Sequence, residues 1–210
     1  MKKLLLHVLV LMIAFTACNS KKEKKSPEKI ESLSDLKDYT ENVKDKMDES
    51  QKKIEERKKR GDTIAMNYKD LQAYLPDIPG YEKDGGPGGE SMNGFGGSWS
   101  TASQKYKNGD KNIKVEIVDY NAAYQTFAGL TALYGMGFSR EDDNEKIAAV
   151  DLGVEGVQGY ETISKKEPNS KLTIVIAGRF ITNIECNGSN DSEFLKSIAK
   201  GMKLSDLASK

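Results

Sequence analysis

Over the second half of the chain, apolar and polar positions alternate in short runs. Ile113, Val115 and Ile117 alternate with Lys114, Glu116 and Val118, the period of a strand with one covered face and one half-wet face. Phe95, Gly97, Trp99 and Thr101 alternate toward Tyr106, and Asn108-Gly109 between these two runs is a strong hairpin-turn signal. Further strands are expected over Gly156–Ile163, Leu172–Ala177 and Phe180–Cys186, and a weaker one over Lys146–Leu152. Lys165–Ser170, with Pro168 and Asn169, reads as one turn, and Gly178-Arg179 as a two-residue turn.

The helical period appears between these runs. Asn67 is placed to cap a short helix through Leu75, stopped by Pro76 and Pro79. From Asn121 to about Tyr134, Tyr124, Phe127, Leu130, Thr131 and Tyr134 share a face. A last helix is opened by Asn190 with Glu193 three later, a capping-box spacing, and buries Phe194, Leu195, Ile198, Ala199 and Met202. Strands grouped between single helices argue for an α+β domain over residues 64–208, with an antiparallel sheet of about five or six strands and two packed helices. This element order resembles the sheet-and-helix fold of PsbP and Mog1 proteins. That likeness implies no functional residue, because no motif carries it.

Residues 21–60 hold 14 basic and 11 acidic side chains. Glu31 to Arg60 lacks Gly and Pro, which favours helix. Ile30, Leu33, Leu36, Tyr39, Val43, Met47 and Ile54 form one narrow stripe. The expectation is a long charged N-terminal helix, a stalk over 31–61 ended by Gly61 as C-cap. A coiled coil that makes an oligomer is one use of the stripe. It lacks regular leucines at a and d, so a helix leaning on its own domain is favoured.

Met1-Lys2-Lys3 precede an apolar run of about 14 residues to Ala17, broken only by His7 and Thr16, too short to span a bilayer and of secretory-signal form. Phe15-Thr16-Ala17-Cys18 resembles the lipobox of bacterial lipoproteins. The resemblance implies a signal peptide over 1–17, cleavage before Cys18, and a diacylglycerol on its thiol with a further acyl chain such as palmitate on the new amine. Several chains hold a protein firmly to a membrane. Residues 18–30 would then be a lipidated flexible tether. Asn19, where an aspartate would retain such a protein in the inner membrane, points to the outer membrane of a bacterial envelope. Gly178-Arg179-Phe180 and the closing Met202–Leu207 are similar to bacterial lipoproteins with no activity to lend. Asp62-Thr63-Ile64 resembles a short bacterial O-glycosylation acceptor.

Charge and composition narrow the chemistry. Two of the 32 basic residues precede Cys18, which leaves 30 against 32 acids. That balance is no footprint for nucleic acid. The cysteines are Cys18 and Cys186, so no disulfide framework is expected, and Cys186 reads as a small hydrophobe in a strand. The one histidine, His7, lies in the signal. Histidine-dependent hydrolysis, common zinc sites and haem ligation lose their ligand or base, and no cofactor or metal is expected. The glycine-rich Gly85–Gly89 lacks the Gly-Lys-Ser/Thr of a P-loop and reads as a mobile connection. The acidic run Glu141–Glu145 lacks EF-hand spacing and reads as a solvated loop.

The function expected is therefore a lipid-anchored, non-catalytic binding or assembly module whose protein or small-ligand partner is open. Trp99, Tyr106, Tyr120, Tyr160 and Arg179 are its candidate partner face. The alternatives are a structural spacer and a histidine-free, carboxylate-dependent hydrolase built on Glu116, Asp119 and Glu161.

Overall fold

The computed structural model describes residues 51–94, 97–121 and 139–210, together with residues 41, 44, 45 and 48. Cys18, the expected signal and tether, most of the expected stalk, and the helix expected over 121–134 beyond its first residue lie outside them. Residues 51–59 form helix α1. Short helices follow at Tyr68–Gln72 (α2), Ser192–Lys200 (α3) and Leu204–Ala208 (α4). The strands are Glu82–Lys83 (β1), Gly88–Gly94 (β2), Gly97–Asn108 (β3), Lys111–Asp119 (β4), Arg140–Glu141 (β5), Glu145–Val150 (β6), Val157–Ser164 (β7), Asn169–Ile176 (β8) and Phe180–Asn187 (β9).

These nine strands form one sheet in the order β1-β3-β4-β9-β8-β7-β6-β5, every pair antiparallel, with β2 alongside β1 on the same edge of β3. The α+β class and the antiparallel sheet are thus as the pattern implies, but five or six strands become nine. The additions are β1 and β5, two residues each, and β2. β2 begins inside Gly85–Gly89, the segment expected to be a mobile connection. Its residues are exposed throughout, so no alternation marks it. Gly89 makes it fit, because a Cβ there would meet Thr101 O at 2.6 Å and the Tyr68 ring at 2.9 Å.

Two meanders, β2-β3-β4 and β5 to β9, meet where β4 pairs β9. The inward positions run in rows across the seam: Ala102, Ile117, Thr182 and Ile174 in one, Gln104, Val115, Ile184, Leu172 and Glu161 in the next. Helices α2, α3 and α4 cover this face through Leu71, Leu195, Ile198, Leu204 and Leu207. Tyr106 lies in that core and donates its hydroxyl to Pro76 O at 2.5 Å.

Three local expectations shift by one residue. The loop of the β3–β4 hairpin is Gly109-Asp110, with Gly109 at φ +56°. The left-handed positions of the β8–β9 turn are Ala177 and Gly178, closed by Arg179 N–H donating to Ile176 O. The cap of α3 is Asp191, which accepts from Phe194 N at 3.0 Å, while Asn190 instead donates to Ser164 O.

Candidate functional site

The alternation Ile113, Val115, Ile117 continues inward to Asp119, which is fully buried at the end of β4. An acid in that phase demands a cation and donors. The turn into β9 supplies Arg179. Its Nε and Nη2 donate to Asp119 Oδ1 and Oδ2 at 2.9 and 2.8 Å. Backbone N–H groups of Asn121 and Met66 complete the four bonds to that carboxylate. The guanidinium also lies 4.9 Å from the centroid of the Phe180 ring.

The end of α1 is built into this cluster. Gly61, at φ +78°, closes α1 with a paired motif: Asp62 N–H donates to Arg57 O and Gly61 N–H to Lys58 O. The chain reversal delivers Asp62 to Arg179 Nη1, 2.7 Å away. Asn121 Nδ2 donates to Asp62 Oδ1 and Ile64 O. Ser98 accepts from Ala65 N at 2.7 Å and donates to Asn93, and Ser100 donates to Met66 O at 2.6 Å. Residues 62–66 are thereby stitched along the end of the sheet, and Ile54 and Arg57 of α1 are buried at 2% and 5% exposure.

Electrostatics separates the two arginines. Burial opposes the charge of Arg179, but the bonds and charges of Asp119 and Asp62 outweigh it and raise its pKa. Arg57 is lowered, first by burial and then by the like charge of Arg179. Its Nη2 reaches Gly178 O at 3.4 Å, and among the described residues its Nε has no hydrogen-bond partner. Arg57 also lines a cleft of about 400 Å³ between α1, the β8–β9 turn and the end of the chain.

The five candidate face residues do not share one surface. Tyr106 is in the core and Arg179 in the buried network. Trp99 projects from the opposite face of the sheet, half-buried beside Met92 of β2. Tyr160 packs on that same outer face against Val175 and Tyr120. Burial and then Glu116 raise the Tyr120 pKa.

The three acids are also dispersed. Glu116 is on the outer face with Lys114 at 2.7 Å. Glu161 is inward, with Lys196 of α3 at 2.7 Å. By register Asp119 and Glu161 are four residues and three strands apart, or roughly 20 Å. Among the described residues, no group of three or more His, Cys, Asp or Glu is arranged to hold a metal ion. Cys186 is buried at 1% exposure, and burial raises its pKa.

Sequence reasoning missed Arg57, Asp62, Asn121 and the inward role of Asp119. The signal for Asp119 was its phase in the β4 alternation. Nothing local marks the others, since their partners lie 57 to 121 residues away. No protein-family model, curated protein or solved structure matches this chain.

Proposed function

We propose that this chain is a lipid-anchored protein of the bacterial cell envelope, held at the outer membrane through Cys18, and that its domain is a non-catalytic binding or assembly module. The charged segment 31–61 separates the anchor from the domain in sequence. The observation that carries the reading is the stitching of the stalk's end into the sheet by Asp62, Asn121, Ser98 and Ser100. A domain clamped to its arm is presented in one orientation, which suits a module that meets a partner at a set distance from a bilayer.

The dispersed acids support a binding role over a carboxylate hydrolase. Such an enzyme needs two carboxyls about 5–10 Å apart, against roughly 20 Å between Asp119 and Glu161 by strand spacing. The test is metabolic labelling with radioactive palmitate in a bacterial host, followed by membrane fractionation. The intact chain is expected to take up label and sediment with membranes. Cys18→Ser is expected to lose the label and appear in the soluble fraction. An unlabelled intact chain, or a Cys18→Ser chain still held in the membrane, would overturn the anchor.

A further inference from the structure

The sheet ends differently on its two sides. On one side lies β5, with two residues, Arg140 and Glu141. Arg140 pairs with Asp142 and Glu145, and Glu141 with Lys165. Beyond β5 only Ala148–Val150 of β6 are left as open edge. On the other side β1 is again two charged residues, Glu82 and Lys83, with Lys83 paired to Asp77. Short, charged edges of this kind resist pairing with another chain. β2, beside β1, has none of these guards. It runs seven residues, Gly88–Gly94, without Pro or Lys and with Glu90 as its one charge. Among the described residues it pairs with β3 alone, and every one of its residues is exposed. Every second residue of such a strand turns its N–H and C=O away from its neighbour.

The side chains of β2 read nearly the same in either direction about Ser91. Glycine stands at 88 and at 94, long side chains at 90 and at 92, and serine between them. Glu90 and Met92 lie on the outer face, opposite Thr101 and Trp99 of β3. Gly89 and Ser91 lie on the inner face under Tyr68 of α2, whose N–H donates to Ser91 Oγ at 3.0 Å. Met92, at 51% exposure, is one of two large apolar side chains exposed among the described residues. An antiparallel copy related by a two-fold axis at Ser91 matches the whole strand. Gly88 then faces Gly94 of the copy, Gly89 faces Asn93, and Glu90 faces Met92, so no like charges stand opposite each other. An axis one residue earlier sets Glu90 against itself. An axis one residue later takes Gly88 and Gly89 out of the match.

We propose that β2 is a dimer edge, at which two copies of this chain pair β2 with β2, antiparallel about Ser91, and continue one sheet through both. Met92 of each copy then covers the stem of Glu90 of the other, beside Trp99. The seven residues span about 23 Å. That is a small interface, so the association is weak and follows concentration. The inference does not rest on an anchor at Cys18.

The test is sedimentation velocity of the full-length chain, in detergent with micelles in excess, over about 1 μM to 1 mM. The parent is expected to pass from monomer to dimer across this range. Met92→Glu sets an acid against Glu90 of the partner copy twice, once on each side of the axis. It is expected to weaken association about 5–30-fold. Adding Glu90→Lys converts both contacts to opposite charges and is expected to restore the dimer. Both residues are exposed, so circular dichroism is expected to show the parent fold in each variant. Under oxidation Ser91→Cys is expected to form a disulfide-linked dimer beyond any formed by the parent, and Lys146→Cys, on the other side of the sheet, is not. A parent that stays monomeric throughout would overturn the proposal and leave the edge to an extended segment of another protein. A dimer indifferent to Met92→Glu, as one made through residues 31–61 would be, overturns it too. So does a loss with Met92→Glu that Glu90→Lys fails to reverse.

Discussion

Asp119 accepts two hydrogen bonds from Arg179 and two from backbone N–H groups while fully buried. Asp119→Asn keeps the shape but turns an amide toward donors and leaves Arg179 with Asp62 alone. Removing one partner of a buried pair costs about 3–5 kcal/mol. The expected fall in Tm is on the order of 10 °C, read by circular dichroism. Tyr106 allows a second test. Burial, with Asp77 adding, pushes its hydroxyl up to about 12 from 10.0. Between those values the unfolded chain has lost the proton and the folded chain keeps it, so stability is whole below pH 10 and falls as pH rises toward 12. The Tyr106 share of that fall is roughly 2–3 kcal/mol. Tyr106→Phe is expected to cost about 1 kcal/mol at neutral pH, through the lost bond to Pro76 O, and to overtake the parent in urea melts above pH 11. An unchanged difference between the two proteins across pH 8–12 would sink this account. At this scale, Tyr106 and Arg179 stood out in the sequence as candidate contacts. Aromatic and cationic side chains serve cores and partners alike, and only the register of β3 with β4 and the partners of Arg179 decide between them.

At the scale of elements, alternation was legible wherever one face was covered: β3, β4 and β6 to β9 lie close to where their patterns put them. It was silent where neither face or only two residues were involved, as in β2, β1 and β5. β2 depends on a missing side chain. Gly89→Ala would drive a methyl into Thr101 O and the Tyr68 ring, and the resulting shift of α2 or β2 is expected to cost about 1–3 kcal/mol. Gly86, three residues earlier, has open space around it, so Gly86→Ala is expected to stay within about 0.5 kcal/mol. Urea midpoints for the two variants read the contrast, and equal midpoints would show that β2 is not held this way. The turns explain the one-residue shifts. Asn-Gly and Gly-Arg mark where a reversal occurs. Which residue takes the positive φ depends on strand register, and Ala177 at φ +50° has no local signature.

For the whole molecule, the sheet and its core were readable from composition and period, but not how α1 joins them. The Arg57–Gly178, Asp62–Arg179 and Asp62–Asn121 bonds link residues 121, 117 and 59 positions apart. No window along the chain contains both ends of any of them. The seam between β4 and β9 is of the same kind and has a kinetic consequence. Each meander can assemble from neighbours in sequence, but the seam joins partners from Asp119 with Phe180 to Asn112 with Asn187. Closing so long a loop is repaid only when the rows of the two meanders interdigitate. The encounter of β4 with β9 is then the slow event of folding. Ile184→Val, in the seam, is expected to slow refolding in stopped-flow traces by most of its effect on stability. Ile147→Val, near the β5 edge, is expected to leave refolding almost unchanged and to quicken unfolding. The reverse assignment would place the nucleus in the second meander. A chain that folds through this seam stays two half-sheets with open edges until late, and the edges of β4 and β9 are where it is most exposed to wrong partners.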